Sequence, residues 1–205
     1  MANYEILTPG IGEITEKKSR FIGSCAHVTS EEEAMAFVAA KKKEHYDARH
    51  NCWAYIVGDT SRSSDDGEPS GTAGRPMLDV MTGRGLKDAV IVVTRYFGGV
   101  LLGTGGLVRA YSDATAACID ACELIERRTG LVLTVSTDYT NVGRIQHIIA
   151  EQKLFLRDTI YEEAVKFICM VPSDMKDSID SLITNETSGT AVLDWAPEES
   201  YTVPI

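Results

Sequence analysis

No run of eighteen apolar residues occurs anywhere in the 205-residue sequence, which excludes a membrane-spanning helix. The opening residues, MANYEILTPGIGEITEKKSR, show no apolar segment behind a basic start, so no secretory signal is read there. Cysteine is sparse and odd in number, five in all, and no paired C-x-x-C occurs. A disulfide scaffold and a zinc ribbon are therefore not expected, and the thiols read as reduced in a cytoplasmic protein. Cys118 and Cys122, four apart on a probable helix stripe, read as small buried apolar residues. The sequence also lacks H-E-x-x-H, G-x-S-x-G and G-x-x-x-x-G-K-[ST], which removes the common zinc-hydrolase, serine-hydrolase and P-loop signatures. No metal or cofactor site is read from it.

Basic residues are scarce too, 20 Lys and Arg against 30 Asp and Glu, a net charge of −10. Residues 130–205 carry −7 of this, whereas residues 71–110 carry +3. Affinity for nucleic acid draws on Lys and Arg neutralising phosphates. An anionic partner is thus expected only at the middle of the chain, near Arg75, Arg84, Lys87, Arg95 and Arg109.

Glycine is concentrated in that same region: ten of the seventeen lie between Gly67 and Gly106. Among them runs an unalternating apolar stretch, Asp88 to Phe97, which predicts a strand covered on both faces. Behind it, Gly98-Gly99 and Gly103-Thr104-Gly105-Gly106 lead into a helix with Leu107, Tyr111, Ala114, Cys118 and Ala121 on one stripe. Glycines before a helix allow positive φ and close backbone approach, and the helix N-terminus offers unpaired N–H groups to an anion. They serve tight turns and packing equally well. Arg95 and Arg109 flank them, and each needs a carboxylate, a carbonyl, a ligand or solvent. Asp66, Glu68 and Asp113 are the candidate internal partners.

The acidic loop Asp65-Asp66-Gly67-Glu68-Pro69-Ser70-Gly71-Thr72 has the oxygen ligands a hard cation takes, without calcium-loop spacing. A surface or gating loop is the alternative. Thr60 to Arg75 reads as loop throughout, and Pro76 to Met81 as a short helix. Earlier, Glu13 to Thr29 reads as a strand or hairpin arm, and Ser30 caps a helix carrying Ala34, Phe37 and Val38. Arg49 to Val57 reads as a strand, in which His50 is an oriented or packed histidine.

Arg127-Arg128-Thr129-Gly130 marks an expected boundary between residues 1–128 and 130–205. Beyond it the pattern is strand (Leu131 to Thr137), helix capped by Asn141, a hairpin (Lys153 to Tyr161, Ala164 to Val171), helix capped by Ser173, strand (Thr190 to Trp195). That β-α-β-β-α-β order is ferredoxin-like.

The run Val92-Val93-Thr94-Arg95-Tyr96-Phe97-Gly98-Gly99, continuing through Leu102-Gly103-Thr104-Gly105-Gly106-Leu107-Val108-Arg109-Ala110-Tyr111, resembles the signature of the IMPACT/YigZ family. Lys18-Ser19-Arg20-Phe21, His50-Asn51-Cys52-Trp53-Ala54-Tyr55 and Asp65 to Gly74 are similar to that family's other blocks, in its order. The resemblance implies an α+β protein: a ribosomal protein S5 domain 2-like domain followed by a ferredoxin-like domain similar to the last domain of elongation factor G. Eukaryotic relatives carry an additional N-terminal RWD domain and restrain a kinase pathway that reports amino-acid starvation to translation initiation. The layout here looks like the bacterial branch.

The expected function is that of a cytoplasmic binding protein in translation or ribosome-associated regulation, with ribosome, RNA or a translation factor as partner. Its cleft would take Asp66, Glu68, Ser70 and Thr72 from the loop, and Arg95, Tyr96, Gly98, Gly99, Gly105 and Arg109 from the core. Tyr96 and Trp53 would offer stacking surface for a base. The competing expectation is an enzyme acting on a phosphorylated or nucleotide substrate, with the acidic loop as metal or base site.

Overall fold

In a computed structural model the chain is described over residues 3–204, and it divides into two compact units, residues 3–126 with 204, and residues 127–203. The first is built from β1 (Asn3–Thr8), β2 (Ile11–Glu16), β3 (Ser19–His27), α1 (Glu31–Glu44), β4 (His50–Val57), β5 (Thr60–Ser64), α2 (Gly74–Gly83), β6 (Ala89–Tyr96) and α3 (Thr104–Asp120). Five of its strands form an antiparallel sheet in the order β2-β3-β6-β4-β5.

Strand β6 is the centre of that sheet, and it is apolar without alternation because both its faces are covered. Ala89, Ile91 and Val93 pack with Met77 and Met81 of α2 and Leu107, Tyr111, Ala114 and Cys118 of α3. Val90 and Val92 pack on the other face with Ala34 and Val38 of α1 and with Tyr55. Helix α1 starts as read: the Ser30 hydroxyl accepts from the Glu33 N–H at 3.1 Å, and three glutamates lie in its first turn.

Glycines 12 and 98 mark two close approaches. A Cβ on Gly12 would sit 2.2 Å from the Cys118 nitrogen, so glycine lets β2 lie directly on α3. A Cβ on Gly98 would sit 2.0 Å from the Lys18 carbonyl carbon. The Gly98 N–H donates to Ser19 Oγ at 3.1 Å, which fastens the loop after β6 to the β2–β3 turn.

The second unit takes most of β7 (Glu123–Thr137), then α4 (Val142–Glu151), β8 (Phe155–Tyr161), β9 (Val165–Val171), α5 (Lys176–Glu186) and β10 (Val192–Pro204). Strand β9 pairs with both β7 and β8, and β10 pairs with β7. The resulting order β10-β7-β9-β8 is the ferredoxin-like one, and the chain is α+β. One face carries Ile145, Ile148 and Ile149 of α4 and Ile179 and Ile183 of α5 against Leu133, Phe167 and Cys169.

Three local expectations are corrected. Thr60–Ser64 is a strand, not loop; it is an edge strand whose polar side chains face solvent, so no hydrophobic pattern announces it. The Asn141 side chain does not cap α4. It donates to Thr190 Oγ1 at 3.1 Å instead, and Asp138 Oδ1 accepts from the N–H groups of Thr140 and Asn141, at 2.9 and 3.1 Å, in the turn before the helix. Ser173 does not cap α5 either: it lies inside a short 3₁₀ turn and donates to Glu198.

Candidate functional site

The loop between β5 and α2 folds over the end of the sheet by hydrogen-bonding its own acids. Asp65 accepts from the backbone N–H groups of Gly71, Ala73 and Gly74 at 2.8, 2.9 and 2.8 Å, which closes the loop and satisfies the start of α2. Burial alone would raise its pKa, but these three donors favour the charged form and leave it below the ordinary carboxylate value. Asp66, at positive φ, accepts from the Asn51 N–H at 2.7 Å and pairs with Lys42 of α1 at 2.5 Å. Thr72 is buried and donates to the Pro69 carbonyl at 2.6 Å, and Ser70 is exposed on the loop. Glu68 turns inward, where its Oε1 accepts from Arg95 at 2.6 Å and from the Tyr111 hydroxyl at 2.8 Å. All three carboxylates of the loop thus have internal partners. Among the described residues, no group of three or more His, Cys, Asp or Glu side chains is placed to hold a metal ion.

Arg95 sits on the α2–α3 face of β6. Its guanidinium lies between the Phe21 and Phe97 rings, 5.4 and 5.5 Å from their centroids. The side chain is 7% exposed and its Glu68 partner 3%. Its Nε is buried and makes no hydrogen bond. A buried donor left unmade costs about 1–3 kcal/mol.

Arg95 lines a cleft of about 490 Å³, together with Arg49, His50, Glu68, Phe97 and the Gly103-Thr104 start of α3. Gly103 enters the helix at φ +75°, with no side-chain cap, and its carbonyl accepts from Leu107. The first amides of a 17-residue helix therefore lack an intrahelical acceptor at the cleft. Its remaining wall is apolar, with Leu101, Leu102, Leu107 and Pro69. His50 Nδ1 lies 2.9 Å from the Asp66 carbonyl, which can only accept, so this nitrogen carries the hydrogen and Nε2 is the lone-pair side of the neutral ring.

The structure divides the residues read from the sequence. Glu68 and Arg95 come together in the cleft. Gly105 and Arg109 do not join them: they line a separate groove of about 240 Å³ with Ile14, Glu16, Lys17 and Asp113. On a helix of 3.6 residues per turn, Arg109 lies roughly 200° round from Leu107, which faces the core. Gly98 spends its N–H on Ser19, whereas Gly99, at φ +84°, is open. Trp53 and Tyr96 lie on the α1 face of the sheet, opposite Arg95. Trp53 stacks on Tyr55 with centroids 5.6 Å apart, and the Tyr96 hydroxyl meets His45 and Asp47. Neither is placed to stack a base beside Arg95. Two cleft residues, Arg49 and His50, were not among the site residues read from the sequence, although His50 opens one of the family-like blocks.

The Impact N-terminal domain matches residues 17–119, and a domain of unknown function, DUF1949, matches residues 135–190. The IMPACT family member YvyE of Bacillus subtilis is 40% identical over 189 residues, 91% of this chain and 87% of that protein. The IMPACT family member YigZ of Escherichia coli is 43% identical over 141 residues, 66% of this chain and 69% of that protein. Among solved structures, one described as a hypothetical protein is 31% identical, covers 94% of this chain and 96% of that chain, and has a TM-score of 0.59. Two successive domain matches and near full-length identity to curated members agree with the glycine-bearing segment around β6: the chain belongs to the IMPACT family.

Proposed function

We propose that this protein is a binding protein of translation or ribosome-associated regulation, and that the cleft beside Arg95 takes a phosphate group of an RNA partner. The observation that carries the cleft is the uncapped start of α3 opening, beside the exposed Arg49, on the recess that Arg95 also lines. A phosphate there would set one oxygen toward the Arg95 guanidinium. Its other oxygens would meet the free amides at the start of α3, and Arg49, exposed at the rim, would add an unpaired charge. Because Glu68 already neutralises Arg95, the net attraction comes from Arg49 and the helix terminus. The translation setting follows from family membership and the resemblance of the β6–α3 segment.

The test is binding of the full chain to ribosomes and to a ribosomal RNA fragment across a range of salt concentrations. Affinity should fall as salt rises, and Arg49→Ala should weaken it and reduce the logarithmic salt slope by about one. Arg109→Ala, in the separate groove, should change it much less. Affinity that ignores ionic strength, or an Arg49→Ala protein that binds as the parent does, defeats this reading.

A further inference from the structure

At the far end of α3 from the cleft, three thiols meet around one carbonyl. Cys25 of β3 and Cys118 of α3 both donate to the Gly10 carbonyl, at 3.5 and 3.6 Å. Cys122, just beyond α3, lies with its Sγ 3.1 Å from the Cys25 Sγ, although 97 positions separate the two in sequence. They are this close because the β1–β2 connection presses on the helix end. A Cβ on Gly10 would sit 2.4 Å from the Ala121 carbonyl carbon, so only glycine lets the backbones approach so far. All three cysteines are free.

The three differ in access. Cys25 and Cys118 are buried, whereas Cys122 is half-buried and lines a surface recess of about 570 Å³ beside Leu7, Arg84 and Asp120. As a thiol, Cys122 donates to the Cys118 carbonyl at 3.1 Å. Once deprotonated, it accepts from the Cys118 and Cys25 thiols, and these bonds hold its pKa well below the ordinary thiol value. A partly exposed thiolate with a second sulfur in contact is the arrangement of a peroxide-sensing pair.

The geometry points to Cys25 and Cys122 as a reversible redox pair, with Cys122 the sulfur that meets the oxidant and a hydroperoxide as that oxidant. The Cys122 thiolate attacks one peroxide oxygen; the S–O bond forms, the O–O bond breaks, and hydroxide leaves, taking up a proton to become water. The Cys25 sulfur, giving up its proton, then attacks the Cys122 sulfur. The S–S bond forms, the S–O bond breaks, and the departing hydroxide takes that proton as a second water. Two thiols lose two electrons, and one hydrogen peroxide becomes two waters. A small dithiol reverses the change by thiol–disulfide exchange. The bond ties the central sheet to the end of α3, the helix whose other end forms the cleft.

The test uses the reduced full-length chain, treated with one equivalent of hydrogen peroxide, then alkylated with N-ethylmaleimide and weighed intact. Reactive thiols should fall from five to three, with the mass of two hydrogens lost, and proteolysis should yield one linked pair of peptides, containing Cys25 and Cys122. Dithiothreitol should restore all five. In Cys25→Ser, dimedone should trap a sulfenic acid on Cys122. Five thiols persisting after peroxide, or a linked pair other than Cys25 with Cys122, overturns the assignment. Because the parent chain alone gives this readout, a variant that failed to fold would not rescue or sink it.

Discussion

Arg95 and Glu68, 27 positions apart, form an ion pair of 2.6 Å in which both side chains are almost wholly buried, and Tyr111 donates to the same carboxylate oxygen. The pair joins the acidic loop to β6 and α3, so the loop's position over the cleft depends on it. Removing one member of a buried pair strands the other charge, which costs on the order of 3–5 kcal/mol. Glu68→Ala should lose about that much in urea-induced unfolding, whereas Tyr111→Phe, which removes one hydrogen bond, should lose about 1 kcal/mol. Equal losses in the two variants would show that Glu68 does not anchor the loop.

Gly98 and Gly105 resemble each other in sequence and differ in space. The first has Lys18 backbone atoms where a Cβ would stand; the second has nothing within 4 Å. Gly98→Ala must push the β2–β3 turn away, and overpacking of this kind costs about 1–3 kcal/mol. Gly105→Ala lies in the first turn of α3 and should be neutral or stabilising, by up to about 1 kcal/mol. Thermal melts of the two variants decide it, and the reverse ranking would contradict the close approach at Gly98.

Much of the architecture was legible because burial imposes pattern. The unbroken apolar run of β6 announced cover on both faces, and periodicities of two and of three to four announced the ferredoxin-like unit. Strand β5 was hidden because Thr-Ser-Arg-Ser-Ser buries nothing; only its backbone pairing with β4 makes it a strand. The site was legible as a neighbourhood and not as a list. Arg95 and Arg109 stand equally close to the glycines in sequence, but strand alternation turns one toward the core and the helical turn carries the other to a different groove. The same alternation separates Trp53 from His50 on β4.

Asp65 should give the loop a pH signature. Its folded-state pKa is depressed, so its contribution is fully present above the ordinary value of 3.8 and is lost as pH falls through the lower folded value. Asp65→Asn should therefore be less stable than the parent at pH 7, by about 1–2 kcal/mol, the scale of a lost helix cap. The gap should narrow as pH falls below 3.8, provided both proteins remain folded in part of the urea range. A gap that stays constant down to that range would mean that the backbone donors do not distinguish carboxylate from amide.

Trp53 offers a test of which face of the sheet meets the partner. The chain has two tryptophans, and Trp195 belongs to the second unit, where its Nε1 donates to Asp180 at 3.0 Å. In a Trp195→Phe variant, emission reports Trp53 alone. Strand β4 alternates, so His50, Cys52 and Ala54 face the α2–α3 side while Trp53 and Tyr55 face α1. A base stacked on Trp53 would quench its emission, but a phosphate held beside Arg95 lies across the sheet from the indole. Titrating that variant with a ribosomal RNA fragment, while following binding independently by anisotropy of a labelled RNA, should show saturable binding with Trp53 emission nearly unchanged. Quenching that tracks the binding curve would move the partner to the α1 face and return Trp53 and Tyr96 to the contact surface.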